Sequence, residues 1–198
     1  MQFLKKWWVE HFMTLGCRAF FREFLSEFKK ERKRTKWEQI YYKNRVWTAK
    51  MLGTGKSRQK GDFGLIGRIG KKFGYEIQAE WMRLDQVWYF YLPRPENWKQ
   101  SPWKTDVVIE HENDIDNLEF TIFKLGEVST PLKVGIFYPG EKEEEYLQKC
   151  RDMILKQISS YPGGVYLIIF GFLNEQKGVY WHGYEIDFKG NIIKLHKS

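Results

Sequence analysis

Thr105-Asp106-Val107-Val108-Ile109-Glu110-His111-Glu112-Asn113 is an apolar run that ends in three charged or polar residues and then a turn. Such a run reads as a strand. Side chains alternate along a strand, so Glu110 and Glu112 share one face and His111 takes the other. The two Glu α-carbons then lie about 6.6–6.8 Å apart, at ~3.3 Å per residue. Two like charges at that separation repel by roughly 2.5 kcal/mol at an effective dielectric of 20. One pKa rises unless a cation lies between them. A hard divalent ion with carboxylate oxygens and waters relieves the repulsion and activates a water, which is a chemical reason for acids at the end of a buried strand.

Working outward, residues 75–92 form an apolar and aromatic run of strand character, as two strands or one long bent one, and Pro93, Pro95, Asn97 and Pro102 mark the loop before 105–113. Downstream, the pattern predicts a helix over 119–128, a buried strand over 132–138, a helix over 141–159 and a nearly unbroken apolar strand over 165–173. A closing hairpin covers 179–195, turning at Lys189-Gly190-Asn191. Upstream, 62–73 suits a short helix, with Asp62 as a possible N-cap and Gly74 as its stop. The fold class expected is α/β (α+β), a mixed central sheet flanked by helices.

Residues 3–28 place Leu4, Trp7, Trp8, Phe12, Leu15, Phe20, Phe21, Phe24, Leu25 and Phe28 at helical spacing, as one helix or two broken near Gly16. After a polar, basic run over 29–36 the helical pattern resumes to about Leu52. We divide the chain into a basic, aromatic-rich helical arm (1–60) and an α/β core (61–198). The arm's aromatic stripe suits packing on the body or a contact between two copies of the chain.

The net charge is +8, and residues 1–60 carry 16 Lys and Arg against 5 acids, which leaves −3 for the remainder. A basic arm on a mildly acidic body suits a phosphate-backbone partner, DNA above all, because each Lys or Arg on a phosphate releases counterions. The residues expected to do this are Lys29, Lys30, Arg32, Lys33, Arg34, Lys36, Lys56, Arg58 and Lys60. Gly53-Thr54-Gly55-Lys56-Ser57 has the Gly-Lys-Ser of a phosphate loop, but Lys50 stands where the pattern needs Gly and no apolar strand precedes it. It reads as a flexible basic loop.

Only Cys17 and Cys150 are present, too few for a disulfide framework or a structural zinc site. The start of the chain lacks a secretory cleavage pattern and no long uncharged apolar run occurs, so a cytoplasmic protein without a membrane span is expected. His11, His182 and His196 show no ligand spacing. His111 suits a core or surface position. The acids Glu141, Glu143, Glu144 and Glu145 suit the start of their helix, where the macrodipole favours them.

With these residues in view, the chain resembles the PD-(D/E)XK nuclease superfamily, which includes restriction endonucleases. In that family a helix precedes a strand carrying Asp. The next strand carries Glu or Asp, one residue, then Lys, and a helix and another strand follow. Asp85 in Arg83-Leu84-Asp85-Gln86 looks like the first Asp, Glu110-His111-Glu112 like the second motif, and 132–138 like the following strand. The resemblance covers 62 to about 173. It implies a restriction endonuclease-like core in which Asp85 and Glu110 bind Mg2+ or Mn2+, with the His111 carbonyl as a third ligand. Glu112 stands where Lys is usual. Lys124, on the following helix, is the candidate for a displaced Lys, and Lys133 the fallback. Asp106 and Glu80 are secondary acids. The implied activity is metal-dependent hydrolysis of phosphodiester bonds, with Asp85, Glu110, Glu112 and Lys124 as the catalytic set. The alternative is an inactive module of the same fold that binds nucleic acid or a protein.

Overall fold

The computed structural model describes residues 15–33, 36–41, 45–94, 96–97, 99–158, 163–174, 176 and 178–196. The expected helical spacing over 3–14, and Arg34, fall outside them.

Helix α1 (Cys17–Arg32) starts after Gly16, where the pattern allowed a break, and continues into the basic run. A short 3-10 turn (Trp37–Ile40) leads to α2 (Arg45–Leu52), α3 (Gly55–Gln59) and α4 (Gly64–Lys72). The expected flexible loop over 53–61 is therefore corrected. The Thr54 hydroxyl accepts the Ser57 N–H (3.1 Å) and the Thr54 N–H donates to the Ser57 hydroxyl (2.7 Å), a capping box that starts α3. The Gly-Lys-Ser stretch thus spends its polar groups on a helix end. Asp62 is displaced from the expected N-cap by one residue, and its carboxylate instead accepts the Gly64 N–H at 3.0 Å. Gly74, at φ 81°, ends the α4 segment as expected, because the left-handed region costs glycine little.

Seven strands form one sheet in chain order. β1 (Glu76–Trp81), β2 (Leu84–Tyr91) and β3 (Trp103–His111) make an antiparallel meander. β4 (Leu132–Phe137) and β5 (Val165–Asn174) run parallel to β3, and β6 (Gly178–Ile186) and β7 (Ile192–Leu195) return antiparallel. Parallel neighbours need crossovers, and α5 (Leu118–Gly126) and α6 (Glu143–Ile158) supply them. The mixed sheet flanked by helices is thus present, and the expected strands and helices match to within a few residues.

The sheet separates two apolar layers. On one face α1, α2 and α4 bring Phe20, Phe24, Trp47, Leu65 and Ile69 against Trp88, Ile109, Val134 and Leu167. On the other, Ile122 and Leu125 of α5 and Cys150 and Ile154 of α6 pack on Val87, Val108, Ile168 and Phe170. β4, covered on both sides, is buried along its whole length. Gly70 lets α4 lie directly on the sheet, since a Cβ there would meet the Trp88 ring at 2.8 Å. The boundary expected at residue 60 therefore falls inside one packed unit. Phe20 stacks on Trp88 at 5.2 Å, so the described part of 1–60 packs on the body, one of the two uses expected of its aromatic stripe. Both cysteines are buried and free, and burial raises both thiols. No helix among the described residues is long and apolar enough to cross a membrane.

Candidate functional site

The pairing of Gln86 with Ile109 and Val87 with Val108, carried one step on, sets Asp85 across from Glu110. Both side chains leave the face that α5 covers, beside Val87 and Val108. Two hydrogen bonds fix them. The His111 N–H donates to Asp85 Oδ2 (2.7 Å), and the Asp85 N–H donates to Glu110 Oε1 (3.2 Å). A residue's N–H and C=O leave a strand on the same edge, so the His111 carbonyl emerges beside the Asp85 carboxylate.

Helix α5 brings Lys124 over the pair. Its ammonium is ion-paired with Glu110 Oε2, donates to the Arg83 carbonyl (3.4 Å) and lies over the Phe120 ring (5.6 Å). Glu110 is deeply buried, and that burial, with the Asp85 charge beside it, pushes its carboxyl up to about 7 although Lys124 pulls the other way. Burial also raises Asp85, against the His111 N–H, Lys124 and Arg58, while Glu112 adds to the rise. Glu112 is half-buried just beyond the end of β3, and its Oε1 accepts the Asp114 N–H (2.8 Å). Asp85, Glu110, Glu112 and Lys124 thus converge.

Arg58 joins them from α3. It is held by the Leu52 carbonyl (3.2 Å) and Glu80 (2.5 Å), and its charge reaches Asp85. Its basic character placed it among the phosphate contacts, and only the fold, which ties it to Leu52 and to Glu80 of β1, brings its charge within reach of Asp85.

Other candidates are set apart. Asp106 is buried on the opposite face, where it takes the Tyr75 hydroxyl's hydrogen bond. Glu80 is exposed and occupied by Arg58. Lys133 turns its ammonium to the Gly126 carbonyl (3.4 Å) and the Tyr166 ring (5.0 Å), away from the pair. His111 is buried behind the strand, within hydrogen-bond distance of the Tyr138 hydroxyl (2.6 Å), which also accepts from Trp47 (2.6 Å). Desolvation lowers His111 to about 3, so it stays neutral. Glu143 does more than begin α6, because it bonds His182 (2.6 Å) and Tyr184 on β6.

Lys29, Lys30, Arg32, Lys33 and Lys36 are exposed, on or just after a helix that packs on the face opposite the acid pair. Lys30 is paired with Glu27 (2.6 Å) and Arg32 with Glu38 (2.8 Å). Lys56 and Lys60 are exposed at α3, on the same short segment as Arg58. Arg32 lies against Gly178, beyond the C-terminal end of β5, and the acid pair lies at the C-terminal end of β3. Since β3, β4 and β5 are parallel, the end of α1 and the acid pair occupy the same end of the sheet.

Among the described residues no three His, Cys, Asp or Glu side chains form a metal cage. The donors that converge are two carboxylates and a backbone carbonyl. No family model matches the chain, and no curated protein matches its sequence.

Proposed function

We propose that the protein is a metal-dependent nuclease that hydrolyses phosphodiester bonds of nucleic acid, DNA above all, through Asp85, Glu110, Glu112 and Lys124. The observation that carries this reading is the pairing of Asp85 and Glu110 from adjacent strands on one face, with Lys124 set over them from the next helix. The order of α4, the Asp85 strand, the Glu110 strand, α5 and β4 also supports it, being the order implied by the resemblance to the PD-(D/E)XK superfamily.

The donor set fits a hard cation. Asp85 and Glu110 offer carboxylate oxygens, the His111 carbonyl offers a third, and a cation between the two acids relieves the Asp85 repulsion that helps to raise Glu110. Mg2+ or Mn2+ bound there supplies Lewis acidity and an activated water. The residues do the rest. The His111 N–H fixes the Asp85 carboxylate, and Glu110 is fixed by the Asp85 N–H. Glu112, beside the pair, orients the attacking water and takes its proton. Lys124 and Arg58 stabilise the charge that grows on the phosphoryl oxygens.

Plasmid, single-stranded DNA and RNA incubated with and without Mg2+ or Mn2+ test this. Wild type cleaves only with metal, and Asp85→Ala and Glu110→Ala each lose on the order of 100-fold or more. Cleavage that persists unchanged in both variants overturns the assignment. A second reading, an inactive module of the same fold, is favoured by the Lys124–Glu110 ion pair, in which both side chains are largely buried and mutually neutralised. Salt-sensitive DNA retention with no cleavage under any metal selects it.

A further inference from the structure

Among the described residues, helices α5 and α6 cover β4 to β6, the C-terminal part of β3 and the Asp85–Val87 end of β2, while β1, the far end of β2 and the start of β3 continue beyond them on the same face. That stretch, which no described helix covers, is aromatic. Trp81 meets Trp103 edge-on (centroids 5.6 Å, 81°), Trp103 meets Tyr89 (5.2 Å, 61°) and Tyr89 meets Tyr91 (5.6 Å, 87°). Trp103 and Tyr91 remain 43% and 55% exposed. Edge-to-face contacts fix rings while leaving faces open, and two large aromatics this exposed on a sheet face are not part of the core.

The row begins beside the acid pair. Trp81 pairs across the hairpin with Leu84, the residue before Asp85, and Asp85, Val87 and Tyr89 follow one another on the same face of β2. Polar groups edge the concavity formed by Tyr89, Tyr91 and Trp103, namely Gln78 on β1 and Gln100 and Ser101 on the loop before β3. Exposed Arg94 and Lys99 stand on that loop, and exposed Arg83 on the β1–β2 turn. Open rings flanked by amide side chains, with cations at both ends, match unpaired bases strung on phosphates better than an apolar partner or a duplex, whose bases are already stacked.

We propose that this face is a stacking platform for single-stranded nucleic acid, so that the substrate presented to Asp85 and Glu110 carries an unpaired stretch. The proposal rests on the nuclease reading for the direction of the strand, but binding is measurable without cleavage. Fluorescein-labelled dT and rU 15-mers and a 15-bp duplex are titrated with full-length protein in EDTA, following anisotropy. The single strands bind at least tenfold more tightly than the duplex, and Tyr91→Ala with Trp103→Ala removes roughly tenfold or more of that affinity while Trp103→Phe retains it. Both residues are exposed, and an unchanged circular dichroism spectrum establishes that the variants fold. Equal affinity for duplex and single strand overturns the proposal, as does an unchanged single-strand affinity in the double variant. So does a concentration-dependent dimer that the double variant dissolves. Single-strand binding lost in the variant without metal-dependent cleavage leaves the platform standing and defeats the nuclease reading. Duplex cleavage indifferent to both substitutions does the reverse.

Discussion

Lys133 shows what one residue costs when the chain buries it. It is 1% exposed on β4, and desolvation lowers its ammonium to about 8 from an ordinary 10.5. The Gly126 carbonyl and the Tyr166 ring offset only part of that cost. Between pH 8 and 10.5 the unfolded chain binds the proton that the folded chain has released, so this residue's contribution to stability rises with pH through that window and its penalty is full below it. Lys133→Met is therefore expected to be more stable than wild type at pH 7 by up to about 3 kcal/mol, with the advantage shrinking as pH approaches 10.5. Urea denaturation at several pH values measures it, and a gain that grows with pH contradicts the argument. The family resemblance made Lys133 the fallback, behind Lys124, for a displaced Lys. What separates them is direction, since α5 aims Lys124 at Glu110 while β4 aims Lys133 into the layer beneath α5.

At the scale of elements, the β1–β2 hairpin turns through Met82 (φ 48°) and Arg83 (φ 66°), both left-handed without being glycine. Residues 75–92 left one bent strand or two open for that reason, because no Asn-Gly or Gly marks the break. Replacing Met82-Arg83 with Asn-Gly relieves the strain and is expected to stabilise the protein by about 0.5–1 kcal/mol in urea melts. The short helix α3 went unread for a different reason. Its start depends on a reciprocal pair of side-chain and backbone hydrogen bonds between Thr54 and Ser57, and glycine and lysine content suggested only a loop. Thr54→Ala is expected to cost about 1 kcal/mol and to speed amide exchange over 55–60, loosening Arg58 beside Asp85.

For the whole molecule, the decisive fact is that α1 belongs to the core. Phe24 is fully buried, edge-on to Trp181 at 4.8 Å, and Phe20 stacks on Trp88, so both ends of the sheet rest on one helix. Phe24→Ala is expected to cost about 3–5 kcal/mol. It should lower a single unfolding transition shared by the helical layer and the sheet, seen alike by tryptophan fluorescence and far-ultraviolet circular dichroism. Two separated transitions contradict a shared core. The charge asymmetry that suggested an arm is real, but exposed Lys and Arg on the outer side of a core helix produce the same count as a free extension.

The sequence by itself determined the order of the strands and helices apart from α3 and the break between β1 and β2, because period-2 and period-3.6 apolar spacing and glycine or proline stops act over a few residues. It also marked Glu110 and Glu112 as acids at a strand end, while Asp85 and Lys124 were read from the family resemblance. Tertiary structure alone decided that Asp85 and Glu110 stand across from each other, that Lys124 pairs with Glu110 and that Arg58 joins the group. It also left beside them an aromatic face of β1–β3 that no described helix covers. Strand register and helix placement are set by packing between residues far apart in the chain, and no local pattern of side chains records that.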